Sequence, residues 1–523
     1  MLFKRLFGTL VALTLACPAF ATTPDEFRAM IWAGDLPGVK AVLQEAVASD
    51  LASTGNAQAT RDLNSIFLES HPKVAAFTES WLAAEPNSAF ALTARGWQLF
   101  AAGQNIRGTT ASNEVYSDAA RANAEKSTQA FELAERAIVA DPGLLAASDL
   151  ILRTSMMLGN RQMVPVEMER IMALHPNRGS LMRAMYNLSP QWGGKPGQVQ
   201  LLCDRYAPMV KSIRGYNAQI CMIDAAYWAG FSPGPQMDAA REGLAKTDNP
   251  VLDYARLKDA GDGFGTPEDR IRLLGDEATN RALTLKEAME LSVAYDQAAG
   301  NAGKIRLSEL AQLQADEAVR LVVMADHDPY DPGIISNYVW ALTNKPAGPL
   351  EPPERDEAVS RLKTLLHGSP YNAQGWLDLA RISLMGYHDQ VDLDRIASVE
   401  PFFTNAIVYS NYSYDAVKAI IWGKYFAVVD PTNNTKVIDM TGLSAEARVK
   451  LDRVVNCPLV QQMRILAAVC GAEGINQHDC GGFFGGPDVL MLRVVELHDS
   501  GSCTREFALT DGELAMRPAK IDF

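Results

Sequence analysis

The feature that most constrains this chain is a junction that recurs along it: an apolar helical stretch ends in a polar residue and Pro, and a second helical stretch begins. It reads Ala84-Glu85-Pro86-Asn87, Ala140-Asp141-Pro142-Gly143, Leu174-His175-Pro176-Asn177, His327-Asp328-Pro329-Tyr330 and Gly368-Ser369-Pro370-Tyr371. Pro142 and Pro176 are 34 residues apart, and Pro329 and Pro370 are 41 apart. Pro cannot continue a helix, and periods of this length are those of helix hairpins stacked on one another. Within the 34-residue unit, Leu144, Ala147, Ile151, Thr154 and Leu158 advance by alternating threes and fours, which puts them on one helical face. Gly159-Asn160 supplies a stop, because Gly tolerates the left-handed backbone that follows helix ends. Val164, Met168, Ile171 and Leu174 then repeat the spacing in a second helix. One unit is one hairpin.

Two segments carry a family resemblance. Trp81-Leu-Ala-Ala-Glu-Pro-Asn-Ser-Ala-Phe-Ala-Leu and Ala130-Phe-Glu-Leu-Ala-Glu-Arg-Ala-Ile-Val-Ala-Asp-Pro142 resemble tetratricopeptide repeats in their order of small and large apolar residues and their terminal Pro. A narrower likeness covers residues 76–200, where Ala94-Arg95-Gly96, Arg107-Gly108 and Pro190-Gln191-Trp192-Gly193-Gly194 stand among the repeat helices. It is to an uncharacterised bacterial family with an Arg-Gly insertion and a Trp-Gly-Gly loop. The resemblance implies a mostly α fold, a tetratricopeptide-like α-solenoid of stacked helix hairpins, and no particular activity.

The rest of the chain is organised around these repeats. Residues 22–229 read as N-terminal helical repeats. Residues 230–316 read as an irregular helical linker, because Gly and Pro crowd 230–276 while a regular helical pattern resumes at 284. Residues 317–425 read as a second repeat segment, with Pro-rich 345–353 as a loop inside it. Residues 426–523 read as a cysteine-rich C-terminal cap. Val489 to Leu497 and Thr504 to Leu509 flank Asp499-Ser500-Gly501-Ser502, the pattern of a β-hairpin. A cap suits a solenoid, whose last repeat otherwise exposes its apolar face.

The first residues, Met1-Leu-Phe-Lys-Arg, a short apolar run from Leu6 to Ala16 and the site Ala19-Phe20-Ala21, predict a secretory signal peptide over 1–21, cleaved after Ala21. A rival reading lipidates Cys17 behind Leu13-Thr14-Leu15-Ala16, but Thr14 stands where such signals usually carry Leu. No later stretch reaches about 18 uninterrupted apolar residues, so no transmembrane segment is expected in the mature chain. The expected address is the periplasm or the exterior. The 48 basic and 62 acidic residues give a net charge of −14. Without a basic run, this acidity argues against nucleic acid as a partner.

Six cysteines follow the signal: Cys203, Cys221, Cys457, Cys470, Cys480 and Cys503. An even number in an oxidising compartment favours disulfides. Cys203 and Cys221 lie nine residues on either side of Ser212, and Lys211-Ser-Ile-Arg-Gly215 reads as the turn of a helical hairpin. Equal distances from a turn put both cysteines at one height on antiparallel helices, within bridging range. For the other four, the spacings of 13, 10 and 23 lack the close Cys pair of a zinc site, which favours disulfides over metal even with His478 beside Cys480. Cys457 with Cys470 and Cys480 with Cys503 is the pairing taken.

Other candidates each have a plainer reading. Gly481-Gly482-Phe483-Phe484-Gly485-Gly486 lacks the Lys-Ser/Thr of a phosphate loop and reads as a loop. Asp326, Asp328 and Asp331, and Asp259, Asp262, Glu268 and Asp269, miss the twelve-residue calcium pattern and read as acidic helix starts. Trp97, Trp192, Trp228, Trp340, Trp376 and Trp422 recur at helical positions and read as packing. No hydrolase, protease or dinucleotide motif occurs. No catalytic residue, cofactor or metal is therefore assigned. The leading expectation is a non-catalytic scaffold of the bacterial cell envelope that binds a protein or extended peptide. The alternatives are a cell-wall-polymer hydrolase with carboxylates from separate helices in one cleft, and small-ligand or metal binding by the cap.

Overall fold

A computed structural model of the chain describes residues 22–52, 58–108, 115–195, 197–211, 215–229, 266–280, 321–343 except 323, 352–384, 393–410 and 444–452, with single positions at 290, 291, 294, 456 and 457. The expected signal peptide over 1–21, the Gly-rich stretch 481–486, the expected hairpin at 489–509 and Cys470, Cys480 and Cys503 lie outside these. Among the described residues every regular element is helical. The N-terminal helices are α1 (Pro24–Ala33), α2 (Leu36–Ala52), α3 (Gln58–Ser65), α4 (Pro72–Ala84), α5 (Ala89–Arg107), α6 (Ser117–Ala140), α7 (Leu145–Met157), α8 (Met163–Leu174), α9 (Arg178–Asn187), α10 (Gln198–Tyr206) and α11 (Ala218–Ala229). Beyond them come α12 (Pro267–Asn280), α13 (Pro332–Thr343), α14 (Pro352–Gly368), α15 (Ala373–Leu384), α16 (Leu393–Tyr409) and α17 (Ala445–Leu451).

All five Pro junctions are turns between helices, and they are built alike. The residue before each Pro donates its N–H to the carbonyl four residues back: Glu85 to Trp81 at 2.9 Å, Asp141 to Ala137 at 2.8 Å, His175 to Ile171 at 2.7 Å, Asp328 to Met324 at 2.8 Å and Ser369 to Leu365 at 2.7 Å. Pro then forces its predecessor into extended backbone, which ends the helix. In four of the five, the carbonyl of that predecessor accepts from the N–H three residues on, at 3.1–3.3 Å. The exception is His175, where Asn177 caps α9 one residue sooner by accepting from Ser180 N at 2.8 Å. Local sequence chemistry thus makes one turn five times.

The helices pack largely in order. In the first segment α5 rests on α6, α6 on α7, α7 on α8, α8 on α9, α9 on α10 and α10 on α11. Alternate helices also touch: α5 meets α7, α7 meets α9, and α9 meets α11. Close approach needs small residues, and a Cβ on Gly96 of α5 would fall 2.5 Å from Leu150 Cδ2 on α7 and 3.3 Å from the Ala130 carbonyl oxygen on α6. Leu144, Ala147, Ile151 and Thr154, placed on one face by their spacing, are all buried. One apolar cluster runs from α1 to α7 around Phe27, Phe67 and Trp81, and a second from α7 to α11 around Met168, Met185 and Tyr206. The second segment repeats the arrangement, with α13 on α14 and α15, α14 on α15, and α15 on α16.

The second segment returns to the first. Asp328 Oδ1 accepts from Ser70 N at 2.8 Å and from Ser70 Oγ, and Ser70 Oγ accepts from Tyr330 N at 3.1 Å. Trp32 of α1 stacks on His71 at 4.5 Å and meets His327 edge-on at 5.8 Å. Farther along, Tyr116 packs on Tyr371 and Tyr409 at 5.6 and 5.2 Å.

Candidate functional site

Because α5, α7 and α9 touch in series, residues far apart in sequence share one face. Asp149 of α7 sits at its centre, almost fully buried. Its Oδ2 accepts from Arg61 Nε of α3 at 3.1 Å and from Arg183 Nη1 of α9, while Oδ1 accepts from Ser180 Oγ at 2.7 Å. Arg61 Nη2 also donates to Asn177 and, at 2.8 Å, to Ser180. The face is therefore curled tightly enough for α3 to reach α7 and the start of α9. Burial raises the Asp149 pKa, but Arg183 and Arg61 outweigh it and hold it down at about 2. Thr60, Asn64, Trp97 and Ala146 complete a small cavity of about 40 Å³ around this network. Trp97 Nε1 donates to the Ala146 carbonyl at 3.2 Å, and Arg183 lies 5.8 Å over the Trp97 ring.

Toward the C-terminal ends of the same helices the face becomes cationic and aromatic. Arg107 closes α5 and sits 5.9 Å from the Trp192 ring, and Trp192 packs on Tyr186 of α9 at 5.7 Å. The Trp-Gly-Gly loop fixes that tryptophan. Gly193 has φ +78°, and a Cβ on Gly194 would fall 1.8 Å from the Leu188 carbonyl oxygen. Arg161 ties the loop down by donating to the Trp192 carbonyl. Arg153, one turn beyond Asp149 on α7, is pushed down to about 10 by burial and by Arg183. Burial likewise lowers Arg107.

A larger cleft of about 290 Å³ lies where the two segments meet, lined by His71, Asp326, Pro329, Ile335, Glu357 and Arg361 among others. Arg361 pairs with both carboxylates, at 2.9 Å to Asp326 and 2.7 Å to Glu357. Burial, with Lys73 and His327 nearby, holds the His71 pKa below its usual value.

The three aspartates flagged at 326–331 have separate tasks here. Asp326 pairs with Arg361, Asp328 accepts from Ser70, and Asp331 caps α13 by accepting from Ile334 N at 2.9 Å. Asp269 accepts from the Thr266 hydroxyl at the start of α12, while Asp259 and Asp262 lie outside the described residues. Among the described residues, no group of three or more His, Cys, Asp or Glu side chains is placed to hold a metal ion. Cys203 and Cys221 form a disulfide with Cα atoms 5.5 Å apart, beside Met185, so the spacing about Ser212 did locate a bridge between α10 and α11. Cys457 is also disulfide-bonded. Trp97 and Trp376 are buried, Trp192 is half-buried, and the side chains of Trp228, Trp340 and Trp422 lie outside the described set.

Sequence reasoning passed over Arg61, Arg153 and Arg183, which the fold brings to Asp149 from α3, α7 and α9, and met Arg107 only within the Arg-Gly motif. The signal available was a charged pair one turn apart, Asp149 and Arg153, in a helix otherwise apolar on that side. No protein-family model and no characterised protein matches this chain. Among the described residues no helix is long and apolar enough to cross a membrane.

Proposed function

We propose that this chain is an exported, tetratricopeptide-like α-solenoid that acts as a non-catalytic scaffold in the bacterial cell envelope, holding another protein or an extended peptide. The observation that carries the reading is the serial contact of α5, α7, α9 and α11. In this reading one helix of each pair contributes to a single continuous face and the other stands behind it. Such a face offers a partner a long surface built from many small, similar contributions. The five like-built Pro turns support the repeat reading, and the signal-like start supports export. In this reading the cysteine-rich end, expected to carry a β-hairpin, caps the stack.

Cell fractionation combined with reversible cross-linking tests it. The tagged chain is expected in the envelope fraction, lacking residues 1–21, and cross-linked to one or a few reproducible partners. Retention in the cytoplasm with an intact start, or an envelope protein that cross-links to nothing, would overturn it.

A further inference from the structure

We propose that Tyr116, Tyr371 and Tyr409 form a site of oxidative modification, at which two phenols each lose one hydrogen atom and Tyr116 is joined to Tyr371 or Tyr409 as dityrosine. The bond ties the second segment covalently to the first. Tyr116 stands just before α6 in the first segment, whereas Tyr371 precedes α15 and Tyr409 ends α16 in the second. α15 rests on α16, and Tyr371 and Tyr409 meet at 5.5 Å. Tyr116 completes the trio, stacked on Tyr371 at 5.6 Å with 26° between the ring planes and set edge-on to Tyr409 at 5.2 Å. Rings at these separations are in direct contact. Gly108 fixes the approach beside them: it has φ +76°, and a Cβ there would fall 3.8 Å from Oδ1 of Asn372, the neighbour of Tyr371.

Packing asks for rings, not hydroxyls, and Phe would fill such a seam without a polar group to satisfy. Among the described residues none of the three hydroxyls makes a hydrogen bond, and none is buried without a partner, so the O–H groups are open to an oxidant. Burial, with Tyr116, Tyr371 and Asp118 nearby, holds the Tyr409 pKa above its ordinary value, so this phenol keeps its proton at neutral pH. Among the described residues tyrosine rings touch one another at this trio alone. Two phenoxyl radicals held in contact couple far faster than two that must meet by diffusion. The new bond joins carbons ortho to the two hydroxyls, and each displaced ortho hydrogen moves to its oxygen, which restores both phenols. The two hydrogen atoms lost at the start, passed through a peroxidase-type one-electron oxidant, reduce one hydrogen peroxide to two waters. The site does not depend on the scaffold reading, since it needs only the return of the second segment onto the first.

Oxidation of the full chain at high dilution with hydrogen peroxide and a haem peroxidase tests the site, read by dityrosine fluorescence, monomer mass and mass spectrometry of cross-linked peptides. The expected product is a monomer lighter by two hydrogens, with one bond from Tyr116 to Tyr371 or Tyr409. Its melting temperature should rise, because the link restricts the unfolded chain. Tyr116→Phe keeps the ring and removes the reactive hydroxyl, so it should leave the circular dichroism unchanged and abolish the product. The double variant Tyr371→Phe, Tyr409→Phe should do the same. No dityrosine in the monomer, bonds confined to other pairs, or a yield that Tyr116→Phe leaves intact would overturn the proposal.

Discussion

Replacing Asp149 by Asn keeps the side chain's shape and removes the charge that Arg61 and Arg183 share. In the native protein the carboxylate pKa is held at about 2 against an ordinary 3.8. That difference corresponds to about 2 kcal/mol of stability at neutral pH. The folded-state pKa is depressed, so this contribution is complete above pH 3.8 and disappears as pH falls through about 2. The Asn variant loses more than this, because two arginines then face each other across a buried site without their counter-ion. Breaking a buried pair from one side typically costs about 3–5 kcal/mol. Urea unfolding followed by circular dichroism should show that loss at pH 7, and the gap between wild type and variant should narrow on acidification toward pH 2. A loss under about 1 kcal/mol at pH 7, or a gap independent of pH, would refute the claim that Asp149 ties α3, α7 and α9 together.

Three further outcomes are expected. Asp328 is pushed up to about 7 by burial, so it favours the protonated form and its contribution to stability is lost as pH rises from about 4 to 7. Comparing urea midpoints at pH 5 and pH 8 should show the wild type weaker at pH 8 and a smaller fall in Asp328→Asn, the remainder coming from Asp378, which burial pushes up to about 6; an equal slope in both would contradict the assignment. The double variant Cys203→Ala, Cys221→Ala removes a link across 18 residues and should cost about 3 kcal/mol in oxidised protein, with no change on adding reductant to the variant. Gly194→Ala forces a Cβ against the Leu188 carbonyl and should lower the melting temperature and release Trp192, seen as a red-shifted indole emission, whereas unchanged emission would show that the loop relaxes freely.

What was legible in the sequence is what depends on neighbours in the chain. The Pro junctions are local, since the residue before Pro, the Pro and a capping side chain set the turn by themselves, and all five were visible. The face from Leu144 to Thr154 followed from spacing, and the Cys203–Cys221 bridge from symmetry about Ser212. The return of the second segment onto the first was not legible. Ser70 and Asp328 are 258 residues apart, and no period or motif marks either as half of a contact. The arginine cluster was hidden for the same reason. Arg61 and Arg183 look like ordinary surface charges until folding brings α3 onto α7 and α9.

Site-resolved photo-cross-linking in cells tests the central claim most directly. A photoreactive residue in place of Arg107 or Tyr186 stands on the face shared by α5, α7 and α9, whereas one in place of Val139 or Val166 stands exposed on the second helices α6 and α8. The account predicts a discrete adduct of constant mass from the first two positions and none from the other two. Adducts of equal yield from all four, or from Val139 and Val166 alone, would contradict it.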